Sequence, residues 1–195
     1  MQWAWLAKID ASALNPLYRY GVDHPGWVTG WNVLCAVLGP VTFRLVGAGF
    51  IVYSLVCRQH RVALFLFLSI ELAGLVTVAV KAAADRPRPS TALVAAASSS
   101  FPSGHALEVM VAVLALSVVV LPTVHGAARL WLIAVGASIV VAVGVGRVVL
   151  NVHHPSDVVA GWALGYVYFT ACLLAFARRR VTEAVETPVA PDTST

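Results

Sequence analysis

The chain has 195 residues, 59% of them hydrophobic and only 11% charged, with a mean hydropathy of +0.84. Soluble domains carry about 25% charged residues, so a chain with 11% cannot clothe a soluble globule and must give part of its surface to lipid. The net charge of +4 sits in short clusters between apolar runs. No basic stripe is interleaved with aromatics, which argues against a nucleic-acid partner.

Residues 1–20 do not read as a cleavable signal, because Trp3, Trp5, Lys8 and Asp10 interrupt any apolar stretch. Trp5, Leu6 and Ile9 recur at helical spacing, which predicts a short helix lying in the membrane interface. Residues 21–180 hold six apolar segments: Asp23–Leu38, Val41–Cys57, Val62–Val80, His105–Leu121, Arg129–Gly144 and Val158–Ala177. Gly39-Pro40 ends the first, and Pro122 closes the fourth. The last has 20 residues without a charge, enough to span about 30 Å of hydrocarbon. No β-alternation competes with these runs, so the expected fold is one all-α polytopic membrane domain with six transmembrane helices. Residues 181–195, rich in Thr, Pro, Glu and Ala, are expected to be disordered. Cys35, Cys57 and Cys172 lie in or at the ends of apolar runs without metal-ligand spacing and read as inert thiols.

Two links are longer and more polar than the others: Lys81–Phe101 and Val145–Asp157. With six helices they are the third and fifth connections and emerge on one face. A cytoplasmic N-terminus puts Lys8, Arg19, Arg58, Arg61, Arg129 and Arg178 to Arg180 in the cytoplasm. Arg44, Lys81, Arg86, Arg88 and Arg147 then lie outside. Basic loops stay cytoplasmic, so the expected arrangement is a plasma (inner) membrane protein with both termini inside and the two polar links outside.

Those links carry three clusters. Lys81, Arg88 and Arg147 bring cations to one face, and cations near lipid call for an anionic partner. Arginine suits phosphate because its planar fork bonds two oxygens. Pro102-Ser103-Gly104-His105 precedes an apolar helix, aiming backbone N–H groups and a positive helix end at an anion. His153 with Asp157 supplies a nucleophile and an orienting carboxylate. Two further acids lie in apolar runs, Glu71 in the third segment and Glu108 one turn after His105. Glu108 reads as a group tuning His105 or the lipid pocket, and Glu71 as paired within the bundle or protonated.

Together these residues resemble the three-part signature of the type 2 phosphatidic acid phosphatase superfamily. Lys81, Arg88 and Pro89 match its first part, Pro102 to His105 its second, and Arg147, His153 and Asp157 its third. The resemblance runs from about Val62 to Ala177. It implies a six-helix fold and a phosphohistidine on His153, with His105 as acid and then base and Asp157 orienting His153. Lys81, Arg88, Arg147, Ser103 and the Gly104 N–H would hold the phosphoryl oxygens, with no metal and no cofactor. Gly146 stands where the family usually has Ser, and Arg86 doubles the Arg-Pro step, placed to touch a second phosphate.

The expected function is hydrolysis of a lipid phosphomonoester or diphosphate, of the polyprenyl, phosphatidylglycerophosphate or phosphatidic acid class. The rivals are a lipid phosphotransferase using the same site and a non-catalytic membrane scaffold, against which the complete set of His105, His153 and Asp157 speaks. The partners expected are the lipid substrate and the bilayer.

Overall fold

Proline and glycine set where the helices start. In the computed structural model, which describes residues 4–186, α1 spans Ala4–Asp23, α2 Pro25–Val37 and α3 Pro40–Val56. Pro25 and Pro40 each open a helix, where the residue's N–H would have no intrahelical acceptor anyway. α4 (His60–Leu66) passes through a π-helical turn, Phe67–Glu71, into α5 (Ala73–Ala84). α6 covers Gly104–Val120 and ends in a 3-10 turn, Leu121–Thr123. α7 runs over Gly126–Val149 and α8 over Pro155–Glu186. Every described element is helical, as expected. The rest of the expected tail, beyond Glu186, lies outside the described residues.

Among the described residues five helical stretches are long and apolar enough to cross a membrane: Pro25–Val56, His60–Ala84, Gly104–Thr123, Gly126–Val149 and Pro155–Ala177. The six expected crossings are thereby corrected to five candidates. The runs Asp23–Leu38 and Val41–Cys57 are not separate crossings. α2 has 13 residues, about 20 Å of helix, too short for the hydrocarbon. At Gly39-Pro40 the helix restarts into α3, and the pair forms one 32-residue candidate span.

The N-terminal helix also lies elsewhere than expected. α1 packs on α7 and α8 and buries Asp10 and Leu14. Asp10 bonds to Arg86 and Ser156, both on the motif-bearing face. α1 therefore sits on that face, across the first span from the Cys57–Gln59 turn. An odd number of crossings would leave the two ends of the described chain on opposite faces, unlike the expected arrangement with both termini in the cytoplasm. Lys8 and Arg19 move with α1.

α6 is the central helix, with Ala106, Leu107, Val109, Val111, Ala112 and Ala115 buried. Its main neighbour is α8. A Cβ on Gly161 or on Gly165 would lie 2.7 Å from the carbonyl oxygen of Ser103 or Leu107 respectively. Helices gain no hydrophobic drive to associate in lipid, so such small-residue contact supplies the packing instead. It brings the start of α6 against the start of α8, where the Ser103 N–H donates to the Asp157 carbonyl at 3.0 Å. Toward the opposite face Phe65, Leu66, Ile70, Ala112, Ala115 and Phe169 form the largest apolar cluster.

Candidate active site

The polar links at residues 85–103 and 150–154 lie against each other at the end of the bundle. The Leu93 N–H donates to the Leu150 carbonyl at 3.0 Å. Thr91 donates to the Asn151 side-chain oxygen at 2.9 Å. Asn151 is buried and left-handed, with φ of 54°, a conformation that asparagine tolerates better than most residues. This tight turn directs His153 back into the bundle.

His153 and the three motif cations share a cavity of about 820 Å³, lined also by His105, Gly104, Glu108 and the apolar Leu75 and Val78. Arg88 is braced by the carbonyls of Ser98 (2.9 Å), Ala97 (3.1 Å) and Val152 (2.6 Å), and its Nη1 lies 3.3 Å from His153 Nε2. Lys81, in the last turn of α5, donates to the Ser99 carbonyl. Arg147 is 8% exposed, and its Nε has no partner. Ser103 Oγ is fully buried and also unpartnered. Buried polar groups are normally satisfied, so an orphaned hydroxyl and guanidinium nitrogen beside three cations fit an oxyanion ligand. Among the described residues no three His, Cys, Asp or Glu side chains are grouped to hold a metal ion.

Asp157 is completely buried behind His153. Its Oδ1 accepts from Arg86 at 2.6 Å, and its Oδ2 accepts from the Ser100 hydroxyl and from the His154 N–H at 2.9 Å. The His153 Nδ1 points at the same oxygen from 3.8 Å, beyond hydrogen-bond length. The His154 Nδ1 is nearer, at 3.1 Å. Proximity to the carboxylate therefore favours His154, but only His153 lines the cavity. Burial pushes His153 down to about 4, the neighbouring Arg88 and Arg147 push it the same way, and Asp157 opposes them. The shift favours the neutral ring, and Nε2, beside the Arg88 guanidinium, can accept from it.

Arg86 is not placed to hold a second phosphate. Its Nη1 bonds Asp157 and Ser156, its Nη2 bonds Asp10 at 2.9 Å, and it does not line the cavity. Asp10 is the residue that sequence reasoning missed. It is 1% exposed and also accepts from the Ser156 N–H (3.1 Å) and hydroxyl (2.7 Å). A lone Asp on a surface-type helix carries no signal of such docking.

The sequence matches the family model of the PAP2 superfamily over residues 62–180, a stretch containing every motif residue from Lys81 to Asp157. The chain belongs to the PAP2 superfamily. A solved structure of a transmembrane PAP2-type phosphatidylglycerolphosphate phosphatase from Bacillus subtilis superposes on it with a TM-score of 0.74. The superposition covers 91% of this chain and 89% of the other at 24% identity, a likeness of fold. No curated protein matches the sequence. The departure of this PAP2 chain at Gly146 has a packing cause. A Cβ there would stand 2.5 Å from Cys35 Sγ and 3.0 Å from the Trp31 ring. The seating of α2 on α7 thus excludes the usual serine.

Proposed function

We propose that this PAP2 protein hydrolyses the terminal phosphate of a membrane lipid through a phosphohistidine on His153. The carrying observation is one cavity in which a buried neutral histidine, a second histidine and three cations meet apolar walls. Leu75 and Val78 on those walls are 65% and 64% exposed on the outer surface of the bundle, which fits a lipid entering sideways from the bilayer.

His153 Nε2 attacks phosphorus and displaces the leaving oxygen, which takes a proton from His105, a ring protonated by the phosphate monoanion as it binds. The ring becomes cationic, and Asp157, held by Arg86 and Ser100, draws Nδ1 into hydrogen-bond range. His105, now neutral, accepts a proton from water as that water attacks the phosphohistidine, and His153 is released. Lys81, Arg88, Arg147, Ser103 and the Gly104 N–H hold the equatorial oxygens as charge redistributes. These cations take the place a metal ion would have. The site faces outward from the plasma membrane. With the five cations that line the cavity or pair with its carboxylates set aside, only Lys8 and Arg19 remain on its face, against six arginines at 58, 61, 129 and 178–180.

Purified protein should release phosphate from lipid phosphates in excess EDTA and be inhibited by vanadate. His153→Ala should abolish turnover without changing the fold, while His154→Ala remains active. Full activity in His153→Ala, or loss in chelator reversed by a divalent ion, would refute the mechanism.

A further inference from the structure

The cavity has a second charged end that the phosphate motifs do not use. Arg44 on α3, Glu108 on α6 and Glu71 on the π turn all line it. Arg44 Nη2 lies 2.6 Å from Glu108 Oε2. The guanidinium passes over Gly74, where a Cβ would come within 2.2 Å of Nη2, so any larger residue on that turn of α5 would displace it. Arg44 Nε and Glu71 Oε1 are buried without hydrogen-bond partners. Ionisable groups inside a membrane span are expensive. The pair is only partly buried, with the Arg44 side chain 41% exposed, and a pair of that kind adds little to stability. Packing therefore does not explain an ion pair with a second carboxylate on the cavity wall, whereas a polar ligand does.

We propose that Arg44, Glu108 and Glu71 form a subsite for the segment joining the substrate's phosphate to its chains, selecting lipid phosphates that carry a hydroxyl-bearing polar linker. This rests on the phosphatase function proposed above. His105, at the reacting centre, and Glu108 are three residues apart on α6, so their Cβ atoms are about 5–6 Å apart, comparable to a three-carbon linker. The carboxylates accept from a linker hydroxyl, and Arg44 donates to the ester or phosphodiester oxygen beyond it. A polyprenyl phosphate puts hydrocarbon there and leaves the charged groups without partners, which a polar site penalises strongly. A second phosphate attached directly to the first would meet two carboxylates against one guanidinium.

The test compares kcat/KM of the full chain in detergent on phosphatidylglycerophosphate, phosphatidic acid, undecaprenyl phosphate and undecaprenyl diphosphate. Wild type should prefer the hydroxylated-linker lipid by at least about tenfold, the scale of one charge-assisted hydrogen bond. Arg44→Gln and Glu108→Gln should each shrink that preference, mainly by lowering the rate on that lipid. Arg44→Met with Glu108→Leu keeps the volume and removes the charges, so it should shift preference toward the undecaprenyl substrates. A wild type that prefers undecaprenyl lipids overturns the proposal. So do variants that fold but lose equal activity on all four lipids. If the wild type releases phosphate from none of them, it is the phosphatase function itself that fails.

Discussion

Asp10→Asn removes one charge 76 positions along the chain from Arg86, the residue it supports. Asp10 accepts from Arg86 Nη2 at 2.9 Å, from the Ser156 N–H at 3.1 Å and from the Ser156 hydroxyl at 2.7 Å, in a site 1% exposed. Hydrogen bonds to charged groups contribute about 1.5–3 kcal/mol each. An asparagine keeps part of this set, so the expected loss of stability is about 2–3 kcal/mol. The catalytic effect passes through Arg86, which also grips Asp157 Oδ1 at 2.6 Å. With Asp10 neutral, Arg86 relaxes toward Asp157 and disturbs the carboxylate that must meet His153. A displacement of about 1 Å in such a group lowers rates about a hundredfold, so kcat should fall by about ten- to a hundredfold. KM should change little, because neither Asp10 nor Arg86 lines the cavity. Ser156→Ala, which deletes only the hydroxyl, should have the same sign and a smaller size. Phosphate release and thermal unfolding on the same preparations measure both effects. An Asp10→Asn protein with wild-type kcat and an unchanged unfolding midpoint would show that α1 plays no part in the site.

Two other predictions concern charge state and topology. Burial holds His153 at about 4 in the folded protein, below about 6.5 in the unfolded chain, so folding expels a proton between those values. His153's contribution to stability is complete above about pH 6.5 and falls as the pH drops toward 4. His153→Gln should therefore flatten the pH dependence of the unfolding midpoint in that window, and an unchanged slope would mean that the ring is not buried neutral. For topology, in a background without Cys35 and Cys172, Ser98→Cys and Ser12→Cys should both react with an impermeant thiol reagent in intact cells. Cys57, exposed beside Arg58, should not react, and labelling of Ser12→Cys on the Cys57 side would put α1 on the wrong face.

The residues of the candidate site were legible because phosphate chemistry requires particular side chains at fixed spacing from helix ends. Lys81, Arg88, Gly104, His105, Arg147 and His153 all reach one cavity, with Ser103 buried beside Gly104. What was hidden depended on direction. Gly39-Pro40 signals a break, but a break does not say whether the two helices cross separately, and α2 with α3 counts as one candidate span. The sequence reading thus counted one crossing more ahead of both polar links, a difference that leaves their shared face untouched. Asp10 was hidden because its partners lie more than seventy residues away. Arg86 looked like a spare phosphate ligand because sequence shows its charge without showing the two carboxylates that occupy it. The Gly161 and Gly165 contacts were hidden too, because only the structure shows which backbone they touch.

The π turn at Phe67–Glu71 gives the second span two phases. Below it Phe65 and Leu66 face the apolar cluster, and above it Thr77 and Lys81 face the cavity. A π turn carries one residue more than an α turn, and one residue is about 100° of rotation. The turn is therefore where the span absorbs one extra residue: deleting a single apolar residue here would let it close to a regular α-helix with Lys81 still on the cavity. The same deletion in α5, between the turn and Lys81, would rotate Lys81 by about 100° and carry it off the cavity.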